Sequence, residues 1–209
     1  MRHLPNLLTG LRLVLTLVVF LALMGMASQP FVLWAASRGL EPRVLLMALY
    51  LTAFWGFVVA AVTDFLDGWL ARRFKVESLA GAILDPIADK VLIAGVVVGL
   101  ATLGSWTAAL AGGLILFREF AVSALREVLA PRGVTLPVTL LAKWKTTLQL
   151  VAFGLQMFVG GWVVWNLPQD PQLAQDANLV ADVGLWLAVA VTLWTGAEYA
   201  LAARKALKS

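Results

Sequence analysis

Six apolar runs, each about twenty residues or longer and rich in Leu, Ala and Val, divide the 209-residue chain at about 5–27, 44–66, 84–104, 106–129, 140–165 and 179–203. Runs of this length match the roughly 20 residues a helix needs to cross a bilayer, whereas a membrane barrel strand needs only about 10 alternating ones. The expected fold is an all-α integral membrane protein of six transmembrane helices. Composition agrees: 61% of the residues are hydrophobic and 13% charged, against about 45–50% and about 25% in soluble domains. Little chain remains for a soluble domain, so any chemistry has to sit in the bundle. With no internal repeat or low-complexity linker, residues 1–209 read as one domain. The first run has signal-peptide features, namely Arg2 and Arg12 ahead of an apolar stretch and small residues near Ala27. Five further runs behind it favour a retained first span.

The basic residues set the orientation. Arg2 and Arg12 begin the chain, Arg72, Arg73, Lys75 and Lys90 flank the second connection, Arg118, Arg126, Arg132, Lys143 and Lys145 flank the fourth, and Arg204, Lys205 and Lys208 follow the last run. Only Arg38 and Arg43 lie elsewhere, and the 164–178 segment carries Asp170 and Asp176 with no Lys or Arg. The positive-inside rule then puts both termini in the cytoplasm. A net charge of +4 without a dense basic stretch gives no reason to expect nucleic acid. The absence of cysteine excludes disulfides, thiolate metal sites and cysteine nucleophiles. Trp34, Trp69, Trp106, Trp144, Trp162 and Trp165 fall near the ends of runs, where interfacial anchoring accounts for them. Gly95 and Gly99 form a GxxxG that marks a close helix contact, a homodimer seam being one use of such a motif.

Four of the seven aspartates, Asp64, Asp67, Asp85 and Asp89, gather at the cytoplasmic ends of the second and third runs. A carboxylate at membrane depth is expensive and therefore a functional candidate. Spacings of i,i+3 for Asp64 and Asp67 and of i,i+4 for Asp85 and Asp89 put each pair on one helix face. Two antiparallel helices can then direct four carboxylates at one another. Such a group has to take up protons or share a cation. Hard oxygen ligands suit Mg²⁺, Mn²⁺ or Ca²⁺, and four carboxylates suffice for two divalent ions. Gly68 and Gly81 let a ligand approach the backbone, and Arg72 offers a phosphate-binding fork. The combination reads as a diphosphate site.

The segment Asp64-Phe-Leu-Asp67-Gly68-Trp-Leu-Ala71-Arg72, with Gly81, Asp85 and Asp89 after it, resembles the CDP-alcohol phosphatidyltransferase signature DxxDGxxARx8GxxxDxxxD at each of its eight fixed positions. The resemblance implies a six-helix membrane enzyme with two divalent cations, Mg²⁺ or Mn²⁺, that joins a CDP-linked lipid to an alcohol and releases CMP. Three further blocks, Leu4–Arg12, Arg118–Glu127 and Lys143–Gln149, are similar to the bacterial phosphatidylglycerophosphate synthases within that family. They imply CDP-diacylglycerol and glycerol 3-phosphate as substrates, membrane lipid as the surroundings, and the bacterial inner membrane with a cytoplasm-facing site as the location.

Within that reading Asp64, Asp67, Asp85 and Asp89 are the metal ligands, and Asp89 is also the candidate general base. Gly68, Arg72, Gly81, Asn6 and Thr9 are assigned to the CDP-lipid. Arg118, Lys143 and Lys145 put positive charge where an acceptor bearing a phosphate needs it. Asn6, Thr9 and Arg12 equally well cap and orient the first helix. Acceptors such as serine, inositol phosphate or phosphatidylglycerol remain open. An ion-coupled transporter is the alternative from another class, though it would favour an inverted repeat that the chain lacks.

Overall fold

The structure, a computed structural model, describes the backbone of residues 4–74, 79–132 and 140–207 and the side chains of 9–66, 84, 87–131 and 144–207. Among these residues the fold is wholly helical: α1 Leu4–Ala27, α2 Gln29–Ser37, α3 Pro42–Phe74, α4 Leu79–Thr102, α5 Trp106–Leu129, α6 Leu140–Gly160 and α7 Pro171–Ala206, with one 3₁₀ turn at Ala130–Arg132. Four of them hold segments long and apolar enough to cross a bilayer: Thr9–Ala27, Pro42–Leu66, Trp106–Leu129 and Pro171–Ala206. The outer surface fits lipid, since Phe117, Val151, Leu187 and Trp194 are all more than half exposed. A water-facing surface seldom presents large apolar residues so densely.

The helix bounds depart from the apolar runs where polar residues join a helix or where one breaks. α7 starts eight residues before the run because Asp170 caps it, accepting the Gln172 N–H at 2.9 Å, and Pro171 fits the first turn. α6 ends at Gly160, ahead of the expected 165. The short α2 lies in what the hydropathy pattern gives as a connection. Ser28 caps it by accepting the Phe31 N–H at 3.4 Å, and Pro30 sits in its first turn.

The long helices form a closed ring in the order α3, α1, α4, α5, α7, α6 and back to α3. All six supply the core, for example Leu23, Phe57, Val96, Ile115, Phe153 and Leu185. The Tyr50 hydroxyl of α3 donates to the Met157 carbonyl of α6 and so closes the ring. On the opposite arc, Asp182 of α7 accepts from Gln156 of α6 at 2.7 Å and from Thr107 of α5 at 3.5 Å. That carboxylate is a junction of three helices.

Two expectations change here. Among the described residues α3 and α4 touch each other little; α1 lies between them and packs extensively on both. Among the described carboxylates, Asp64 of α3 and Asp89 of α4 meet at Arg12 of this third helix. The close contact of the GxxxG is made inside the chain. Gly95 faces Thr16 and Phe20 of α1, and a Cβ at Gly99 would stand 2.6 Å from Leu23 Cβ. This ridge is spent on α1 and is not available as a homodimer seam.

Candidate active site

α1 presents a buried stripe at helical spacing, Thr9, Arg12, Thr16, Val19 and Leu23. Most of it is ordinary core, but Arg12 is a fully buried cation in an apolar span. Its Nη1 lies 2.9 Å from Asp64 Oδ1 on α3 and 3.0 Å from Asp89 Oδ1 on α4. The two carboxylates keep 28% and 35% of their side-chain surface. Because both oxygens reach one nitrogen, they lie no more than about 6 Å apart. The Thr16 hydroxyl donates to the Arg12 carbonyl at 2.8 Å and ties the local helix to itself.

Asp89 also lines a cavity of about 220 Å³ whose other walls are Lys90, Ile93, Leu116, Glu119, Ser123, Arg126, Thr146 and Gln149. The cations at this wall are Lys90, whose Nζ donates to Ser123 Oγ at 2.5 Å, and Arg126. Arg126 is exposed, donates to the Tyr199 hydroxyl at 2.8 Å and lies with its guanidinium carbon 4.9 Å from that ring's centre. Behind the wall runs a polar network. Glu119 accepts from Lys145 and, at 3.0 Å, from Arg118 Nη1. Arg118 further donates from Nε to the Thr192 carbonyl and from Nη2 to Thr195 Oγ1, each at 3.0 Å. Gln149 Nε2 donates to Thr192 Oγ1 at 2.7 Å. Arg118 is 4% exposed, and each of its three nitrogens has a protein partner.

A family model described as CDP-alcohol phosphatidyltransferase matches residues 2–194. The chain belongs to the CDP-alcohol phosphatidyltransferase family. Curated relatives named CDP-diacylglycerol–glycerol-3-phosphate 3-phosphatidyltransferase are similar to it over most of its length. One from Cereibacter sphaeroides is 38% identical, the match covering 82% of this chain and 93% of the relative. One from Rickettsia bellii is 41% identical over 71% of this chain and 77% of its own. One from Escherichia coli K12 is 37% identical over 76% and 85%. Transferases of this family generally depend on a divalent metal.

Of the signature residues of this transferase, Asp64 and Asp89 are brought to one point. Asp67, Gly68 and Arg72 fall within α3, Gly81 and Asp85 within α4, Asn6 within α1 and Lys143 within α6, but their side chains lie outside the described residues. Among the described residues no three metal-ligating side chains gather round one point. Asp64 and Asp89 nevertheless fit a hard divalent ion, since two carboxylate oxygens already converge on a shared positive charge. Thr9 is buried one turn before Arg12 on the same face.

The acceptor cations read from the sequence are placed differently. Arg118 and Lys145 do not line the cavity, because Glu119 draws both of them into the helix packing. Lys90 and Arg126 hold the wall positions. Sequence reading used both for orientation, and Arg126 also within the Arg118–Glu127 block, and gave neither a site role. What distinguishes Arg126 is its place one turn after the buried Val122, in the last turn of α5, where an exposed side chain still borders the cavity.

Proposed function

We propose that this transferase moves the phosphatidyl group of CDP-diacylglycerol to the hydroxyl of sn-glycerol 3-phosphate, giving phosphatidylglycerol phosphate and CMP, with residues 1–209 acting as one membrane domain. The observation that carries this reading is the double position of Asp89. One face of its carboxylate meets Asp64 across Arg12, and the same residue lines the cation-bearing cavity. A donor diphosphate and a phosphorylated alcohol can therefore meet at one residue. The names of the relatives point to the same two substrates.

In this scheme Asp64, Asp67, Asp85 and Asp89 would hold two divalent cations, Mg²⁺ or Mn²⁺, which when bound would neutralise the diphosphate and the leaving group's charge. Gly68, Gly81 and Arg72 receive the diphosphate, and Asn6 and Thr9 the nucleotide end. Lys90 and Arg126 bind the acceptor phosphate by charge-assisted hydrogen bonds. Arg118 and Lys145 contribute positive charge behind them through Glu119, and Lys143 is assigned to the same acceptor phosphate. Asp89 accepts the proton of the acceptor hydroxyl. That oxygen bonds to the phosphorus carrying the diacylglycerol, the bond from this phosphorus to the bridging oxygen breaks, and CMP leaves with the electron pair.

Six spans with both termini in the cytoplasm, in a bacterial inner membrane, put this chemistry where nucleotide and glycerol 3-phosphate are soluble. A homodimer would use a lipid-facing surface other than the Gly95–Gly99 ridge. The test is CMP release from CDP-diacylglycerol by purified protein with a panel of acceptors. Release should require a divalent cation and glycerol 3-phosphate. If serine or inositol phosphate outcompetes it, the acceptor assignment fails and the family alone stands.

A further inference from the structure

Three described cations are nearly or wholly buried in this bundle. Arg118 and Lys145 answer to Glu119, but Arg12 answers to the carboxylates assigned above to metal. A single nitrogen, Arg12 Nη1, bridges Asp64 of α3 and Asp89 of α4. A divalent ion takes carboxylate oxygens at about 2.0–2.6 Å. It cannot share both of these oxygens with a guanidinium already at hydrogen-bond distance from each without strong repulsion between the cations. The Arg12 head is fully buried, so it has no water to retreat into, and the Thr16 bond to its carbonyl keeps the local helix closed. Exchange is then a matter of side-chain movement within the site.

We propose that Arg12 is a positioning residue, an internal counter-ion that holds Asp64 and Asp89 together before a divalent cation arrives and yields them as it binds. Metal affinity is then set by exchange against Arg12 and not by the aspartates alone. The inference rests on the reading that these aspartates bind divalent ions. Its consequence is a protein that tolerates metal loss. Without metal, the unfavourable approach of carboxylates from two helices is offset by Arg12, and with metal the same offset weakens binding.

The full chain in detergent, as wild type, Arg12→Gln and Arg12→Lys, is melted in EDTA and in saturating Mn²⁺, and Mn²⁺ binding is followed by the electron paramagnetic resonance of free Mn²⁺. Arg12→Gln is expected to melt roughly 6–20 °C below wild type in EDTA, as removal of one partner from a buried ion pair implies. Mn²⁺ should recover most of that loss. Its apparent affinity for Arg12→Gln should be about tenfold tighter than for wild type, within the range usual for coupled ligands. Arg12→Lys should fall between the two. An equal loss of melting temperature with and without Mn²⁺, together with unchanged affinity, makes Arg12 a plain packing strut and overturns the proposal. If Arg12→Gln gives no folded protein, Arg12→Gln/Asp64→Asn is expected to fold, since an acid leaves with its base. Failure of this pair as well overturns the proposal. A wild type that binds no Mn²⁺ overturns the metal reading itself and this inference with it, whereas binding with unaltered affinity in Arg12→Gln overturns the inference alone.

Discussion

Replacing Arg118 with methionine separates a packing role from a substrate role in one experiment. The substitution keeps the apolar stem, which fills the space beside Gly196, where a Cβ would stand 2.8 Å from Arg118 Cγ. It removes three hydrogen bonds, onto Glu119, the Thr192 carbonyl and Thr195. Each bond from a charged donor contributes about 1.5–3 kcal/mol. Glu119 keeps Lys145, so the loss falls mainly on the two α7 acceptors, and a total of about 3–5 kcal/mol is expected, as for a broken buried pair. Against a whole stability of about 5–15 kcal/mol this is large. At about 2–4 °C per kcal/mol for a chain of this size, the melting temperature should fall by roughly 6–20 °C. Heating the detergent-solubilised protein and measuring the recovered monodisperse fraction reads this directly. The surviving Arg118→Met enzyme should keep a KM for glycerol 3-phosphate within about threefold of wild type. Arg126→Met should behave the other way, with near-normal melting and that KM raised by about 10–150-fold, which corresponds to about 1.5–3 kcal/mol. An Arg118→Met protein of normal stability with a KM effect confined to glycerol 3-phosphate would refute the division of labour drawn here.

Chelation, or Asp64→Ala, Asp67→Ala or Asp85→Ala, should abolish CMP release while the protein still inserts and purifies; full activity in any of them contradicts the metal assignment. Asp89→Asn should lower kcat more than it weakens CDP-diacylglycerol binding, and a large KM change with near-normal kcat would leave Asp89 a binding residue. Gly99→Leu should cost about 1–3 kcal/mol by overpacking against Leu23, read as a lower melting temperature, whereas Gly95→Ala, whose new Cβ meets Phe20 at an ordinary 3.6 Å, should be tolerated. In a chain without native cysteine, a cysteine at Gln172 should be labelled from the periplasmic side in right-side-out vesicles, and labelling only from the cytoplasm breaks the six-span arrangement.

The helical class was legible because bilayer thickness imposes a length that apolar runs report directly. The helix ends were less so. Hydropathy reads Gln172, Gln175 and Asp176 as connection, although Asp170-Pro171 is a helix start written in capping chemistry. Ser28-Gln29-Pro30 carries the same kind of signal for α2. At the site, i,i+3 and i,i+4 spacing tells which residues share a face but not which helix that face meets. The insertion of α1 between α3 and α4, and with it the place of Arg12, depends on packing between residues some fifty to eighty positions apart. The packing of the cations was hidden for a related reason. Composition counts Arg118, Lys145 and Arg126 alike, while Glu119 decides which of them are withdrawn from the cavity.

The bond from Arg118 to Thr192 spans 74 positions and joins α5 to the last helix. At about 5–20 residues per second, its donor is made some 4–15 s before its acceptor. Through that interval a guanidinium destined for burial has no α7 to receive it. A chain cut short before α7 would keep only Glu119 of the three Arg118 partners. Chain order thus makes this buried cation one whose partners are completed only when the last helix is in place.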